Sequence, residues 1–192
     1  MFEHIKNLIR PPYHYFLQLA SAIFAGFPAR RMVVIGITGT KGKSTSADML
    51  YAVLRAAGYK TALASTIRFV TPLGEKPNKF KMTMQGRGFI QRFLAQAKIE
   101  GATHAVVEIT SEGARQYRHK FLYLDALIVT NIHPEHIESH GSFEKYVAAK
   151  REIEGVVKSA VLDEVQYHAF SLKYGTLFEA GVGAEAIYQL LT

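Results

Sequence analysis

A chain of 192 residues, 48% hydrophobic and 20% charged, is long enough to bury one core of ordinary size and is unlike a disordered or fibrous protein. Its 23 Lys and Arg exceed its 16 Asp and Glu, giving a formal net charge of +7 that suits polyanionic ligands, yet the bases are scattered without a run of five, so no nucleic-acid partner is expected. The absence of cysteine excludes a disulfide scaffold, a thiolate metal site and a cysteine nucleophile, and is compatible with a cytoplasmic protein.

Residues 1–30 predict a short N-terminal helical segment. Its most apolar stretch, 13–27, is interrupted by Gln18, bounded by Arg10 and Arg30, and short for a spanning helix, and no small-residue cleavage pattern follows it. A helix packed on the domain or on a neighbour is expected, with an interfacial membrane contact as the alternative and no stable membrane insertion.

From Arg31 the pattern is regular. The apolar run 32–37 predicts a buried strand, 44–57 a helix closed by Gly58, and 60–66 a second strand. A Pro/Gly/Lys-rich loop over 71–81 interrupts the alternation before a helix over 86–100 closed by Gly101. Strands 103–109 and 124–130 follow, each ending in polar residues at its carboxyl end, where open α/β sheets bind ligands. Residues 142–158 read as a helix capped by Ser142, and 164–192 has no clear period. Short strands alternating with helices predict an α/β fold: a mostly parallel sheet with helices on both faces.

Between the first strand and its helix runs Gly36-Ile37-Thr38-Gly39-Thr40-Lys41-Gly42-Lys43-Ser44-Thr45. Here glycines let backbone N–H groups close around phosphate oxygens, the helix N-terminus adds favourable potential, Lys43 can neutralise β/γ-phosphates and Ser44 can reach Mg²⁺. The commonest phosphate-loop spacing would put its first glycine at Ile37. The variant present, T-G-T-x-G-K-[ST], resembles the loop of the Mur ligases and their folylpolyglutamate and cyanophycin synthetase relatives.

Three further clusters resemble the same family in the same order, and with the loop they span roughly Val33 to Arg151. Glu108-Ile109-Thr110-Ser111 is similar to the family's Glu-x-Ser-Ser segment, which makes Glu108 a hard oxygen ligand for Mg²⁺. Gln116-Tyr117-Arg118 resembles the Gln-x-Arg that contacts the uridine-diphosphate sugar in the muramyl-tripeptide synthetase branch, with Thr110 at the preceding contact position. Glu112 stands where that branch has histidine.

Residues 130–141, with Thr130, Asn131 and His136, resemble the family loop in which the histidine binds a second metal ion and the asparagine lies at ATP. Chemistry alone would sooner suggest zinc than magnesium for an imidazole ligand, and His133, His136 and His140 permit a zinc site, with a plain solvated loop as the other alternative. Lys150 matches the lysine that the family carbamoylates, and a plain exposed lysine is the alternative reading. Thr83 falls where the family's Thr-Thr-Pro segment approaches substrate.

The resemblance implies a P-loop NTP-binding fold with an ATP-binding central domain over 31–163, expected to be truncated, and a poorly defined tail over 164–192. It implies ATP and Mg²⁺ as cofactors, and as ATP-binding residues Gly39, Thr40, Lys41, Gly42, Lys43, Ser44, Thr45 and Asn131. Metal would sit at Ser44, Glu108 and His136; catalysis would rest on Lys43, Glu108, His136 and carbamoylated Lys150; substrate would meet Thr83, Thr110, Gln116 and Arg118. The implied reaction is ATP-dependent joining of an amino acid to a UDP-N-acetylmuramoyl-peptide in cell-wall precursor synthesis, with a partner chain supplying missing parts. A non-catalytic nucleotide-binding module and a folylpolyglutamate-type ligase are the alternatives.

Overall fold

The structure is a computed structural model that describes residues 2–80, 82–86 and 88–131. The helix expected over 142–158, with His133, His136, His140 and Lys150, lies outside the described residues.

Helix α1 (Phe2–Phe24) and a 3-10 turn at Pro28–Arg31 precede β1 (Val33–Thr38). Then come α2 (Lys43–Ala56), β2 (Thr61–Ala64), β3 (Arg68–Thr71), β4 (Gly74–Pro77), α3 (Phe89–Ile99), β5 (His104–Glu108), the single-turn α4 (Ser111–Arg115) and β6 (Ala126–Val129). They form one sheet in the order β4-β3-β2-β5-β1-β6. The four strands from β2 to β6 in that order run parallel, and β3 and β4 add an antiparallel flank.

Alternation along each strand sends side chains to both faces, and both faces are covered, which is why the strands read as unbroken apolar runs. Ile35, Ile37, Leu63 and Val106 share one core with Ala47, Leu50 and Leu54 of α2. Val34, Ala62, Ala64 and Val107 share the other with Ile90, Leu94 and Ala97 of α3. The expected α/β architecture, with helices on both faces and a helix ahead of the first strand, is what forms.

One expectation is corrected. The loop over 71–81 is in part an antiparallel hairpin, with Thr71 paired to Gly74 and Arg68 to Pro77. Every residue of β4 is exposed, so this strand has no apolar period to betray it. Arg68 anchors the hairpin, its guanidinium donating to Asp48 of α2 at 2.8 Å and to Glu75 at 2.9 Å. Those hydrogen bonds, Asp48 first, raise its pKa above the usual arginine value.

Helix α1 lies against the amino end of α3, where a Cβ on Gly88 would fall 2.0 Å from Ser21 Oγ. Tyr15 meets Tyr117 and Phe121, and Phe27 meets Phe121 and Tyr123, all edge-on or tilted. Tyr13, Phe16, Ile23 and Phe24 remain exposed. Among the described residues no helix is long and apolar enough to cross a membrane.

Candidate nucleotide and metal site

Parallel register brings the carboxyl ends of β2, β5, β1 and β6 to one edge, and the sheet order fixes what stands there. Thr66 follows β2, Glu108 ends β5, the phosphate loop follows β1, and Thr130-Asn131 follow β6. Residues far apart in sequence thus line up in one row.

The loop needs glycine at two of its positions. Gly39 has φ of 149°, and a Cβ there would sit 1.9 Å from Thr130 Oγ1; Gly42, with φ of 80°, caps α2. Lys43 opens α2, and its ammonium folds over the loop to donate to the carbonyls of Gly39 at 3.0 Å and Thr40 at 2.9 Å.

The loop is held from outside by β6. Asn131 Oδ1 accepts from the backbone N–H of Thr40 at 3.1 Å and Lys41 at 2.9 Å, and its Nδ2 donates to the Lys41 carbonyl at 3.0 Å. Thr130 Oγ1 donates to that carbonyl at 2.6 Å. Asn131, expected at ATP, therefore stands at the loop with its amide engaged by the loop backbone.

Glu108 is only 1% exposed, and a carboxylate so buried must be supplied with donors. Ser44 Oγ donates to its two oxygens at 3.2 and 3.1 Å. Thr66 donates from its N–H at 2.8 Å and its hydroxyl at 3.0 Å. Serine hydroxyl and carboxylate, both hard oxygen donors on adjoining rigid elements, match in kind what Mg²⁺ takes. Among the described residues no group of three or more His, Cys, Asp or Glu could hold a metal. A metal here would thus draw its remaining ligands from nucleotide and water, as Mg²⁺ commonly does.

The substrate candidates gather beside this row. Thr83 is buried, and its hydroxyl bonds that of Thr66. Thr110 caps α4, its Oγ1 accepting from Gly113 N at 3.0 Å. Arg118 donates to the Met84 carbonyl, next in sequence to Thr83, and to Gln116 Oε1, while Gln116 Nε2 donates to Glu112. Burial lowers the Arg118 pKa and the charge of Glu112 opposes that shift; a guanidinium nonetheless stays cationic. Glu112 accepts from Gln116 Nε2 and so orients the Gln116–Arg118 pair.

Thr66 was missed by sequence reasoning. The only signal was a polar residue at the carboxyl end of a strand, a feature it shares with its neighbour Ser65.

A mostly parallel sheet flanked by helices, with a glycine-rich loop between β1 and α2 at its carboxyl edge, defines an α/β fold of the phosphate-loop class. The family profile that matches, Mur ligase middle domain, covers residues 37–167, and the chain belongs to that family. The UDP-N-acetylmuramyl-tripeptide synthetase of Treponema pallidum (strain Nichols) is 35% identical over 132 residues, which are 68% of this chain and 24% of that protein.

Among solved structures, a UDP-N-acetylmuramoyl-L-alanyl-D-glutamate–2,6-diaminopimelate ligase superposes with a TM-score of 0.56 at 23% identity, over 64% of this chain and 24% of that one. The Mycobacterium tuberculosis folylpolyglutamate synthase complexed with ADP gives 0.55 at 19% identity, over 81% and 41%. At these identities the structural likenesses show the fold. The chain spans about a quarter of the length of the curated relatives it matches, 24% and 27% for two of them.

Proposed function

We propose that this chain is the central ATP-binding part of an ATP-dependent acid–amino-acid ligase of the Mur type, acting on a UDP-N-acetylmuramoyl-peptide in the cytoplasm. The observation that carries the proposal is the meeting of Ser44 and Glu108 at 3.1 Å beneath the phosphate loop. The domain itself is proposed to occupy 31–163.

In this reading Gly39, Thr40, Lys41, Gly42, Ser44 and Thr45 surround the phosphates with backbone N–H groups and hydroxyls, and Lys43 balances the charge of the β/γ-phosphates. Asn131 keeps the loop in shape for them. Ser44 and Glu108 would hold Mg²⁺, with His136 for a second ion; bound metal supplies charge neutralisation of the triphosphate. Lys150, as a carbamate, would add a carboxylate-like anion in place of an ammonium.

Arg118 and Gln116, with Thr83 and Thr110 nearby, would orient the substrate. Its carboxylate oxygen takes the γ-phosphoryl group as the bond to the β-phosphate oxygen breaks and ADP leaves. The amine of an amino acid then attacks the acyl carbon, the C–N bond forms, a proton is lost from nitrogen, and inorganic phosphate departs. Such chemistry asks the protein mainly for positioning and charge compensation, which are the properties this edge of the sheet has.

Calorimetric titration with ATP and Mg²⁺ tests the reading. Heat of binding is expected from the folded chain, and its loss in Lys43→Ala; a wild-type protein that gives none would sink the proposal. A carbamate signal from isotopically labelled bicarbonate, absent in Lys150→Ala, tests the modification.

A further inference from the structure

Glu108 receives three kinds of donor, from Ser44 Oγ, Thr66 N and Thr66 Oγ1. They are not equivalent once a cation arrives. Ser44 Oγ can turn a lone pair to a metal while its proton stays on the carboxylate, whereas the N–H of Thr66 can only donate and its hydroxyl is already shared between Glu108 and Thr83. The two bonds from Thr66 are compatible with an occupied site, because each leaves a carboxylate lone pair directed elsewhere.

The hydroxyl of Thr66 has a second partner. It lies within hydrogen-bond distance of both Glu108 Oε1, at 3.0 Å, and Thr83 Oγ1. It carries one proton. If that proton pointed at Thr83, a lone pair of Thr66 Oγ1 would face Glu108 Oε1, itself an acceptor, at a residue only 1% exposed, where such an arrangement is strongly unfavourable. The proton therefore goes to Glu108, and Thr83 must donate its own proton to Thr66. What remains on Thr83 is acceptor capacity.

We propose that Thr66 is a positioning residue: it holds Glu108 in place for the metal ion of a bound nucleotide, and through the same hydroxyl it leaves Thr83 as an acceptor. The group that meets Thr83 is accordingly a hydrogen-bond donor, an amide N–H or a sugar hydroxyl, and not a phosphate or carboxylate oxygen. The proposal rests on the nucleotide-site reading above and adds to it a residue and a chemical preference.

The full chain is titrated calorimetrically with ADP in the presence of Mg²⁺ and again in the presence of a chelator, for wild type, Thr66→Val and Thr66→Ser. Valine keeps the shape and the N–H and removes the hydroxyl; serine keeps both bonds. Thr66→Val is expected to weaken binding of Mg·ADP about tenfold, a loss near that of one charge-assisted hydrogen bond. Metal-free ADP should stay within about twofold, and Thr66→Ser should restore the metal-dependent part.

Equal affinities of wild type and Thr66→Val for Mg·ADP overturn the proposal, as does an equal loss with and without metal in a variant of unchanged melting temperature. Should the valine variant not fold, Thr66→Ala is read by the same criteria. A wild type that binds Mg·ADP while Thr66→Val matches it overturns this inference alone. A wild type that binds no ADP overturns the nucleotide-site reading and this inference with it.

Discussion

Replacing Asn131 by alanine removes two acceptor contacts to the N–H groups of Thr40 and Lys41 and one donor to the Lys41 carbonyl, without touching the glycines or Lys43. At about 0.5–1.5 kcal/mol net for each bond, and with the site part-exposed, the variant is expected to lose about 1–3 kcal/mol in urea denaturation. Its affinity for ATP should fall about tenfold, because the bonds that remain, Thr40 N–H to the residue-131 carbonyl and Thr130 Oγ1 to the Lys41 carbonyl, leave part of the loop's ordering to the ligand. Wild-type values for both would show that Asn131 is a bystander. At this scale the sequence was informative where chemistry is local: Lys43 and Ser44 stand where their spacing put them. It was silent on Thr66, since nothing in residues 60–66 says which neighbour β2 will acquire, and only the insertion of β5 beside it brings Glu108 within reach.

At the scale of elements, the four parallel strands and their two covering helices were legible because buried runs and helical stripes leave strong periodic signals. The β3–β4 hairpin was not, because its stability comes from Arg68 reaching Asp48 and Glu75 and not from an apolar face. The single turn of α4 was hidden for a similar reason: five residues are too few for a period, and Thr110 capping Gly113 N defines it. The amino end of β5 makes its own prediction. His104 is buried against Tyr59, with Thr103 Oγ1 at its Nδ1, and burial lowers its pKa while the charge of Asp125 opposes this. Below its ordinary value the unfolded chain therefore binds more protons than the folded one. The stability from a neutral His104 is full above that value and is lost as pH falls through it toward the folded-state pKa. Denaturation midpoints across this window should slope downward with acid in wild type and more gently in His104→Phe. Parallel curves would refute the assignment.

For the whole molecule, two cores on opposite faces of one sheet mean that neither helix layer can be loosened alone. Leu94, fully buried in the α3 core, is expected to cost about 2–5 kcal/mol when cut to alanine, and far-UV signal from all helices should be lost in one transition. Separate transitions for the two layers would contradict this. The net charge of +7 predicts in addition that ATP affinity weakens as salt is raised, with the long-range part screened first.

The clamp on the phosphate loop has a temporal side. During synthesis the motif is covalently complete once Thr45 has been added, but Asn131, which holds its backbone, lies 90 residues beyond the Lys41 it grips. A nascent chain that has not yet laid β6 beside β1 carries the motif without the bonds from Thr130 and Asn131. If the loop grips a nucleotide as proposed, its clamp is completed only when the last strand of the described sheet has docked, so capture by an unfinished polypeptide is expected to be weaker.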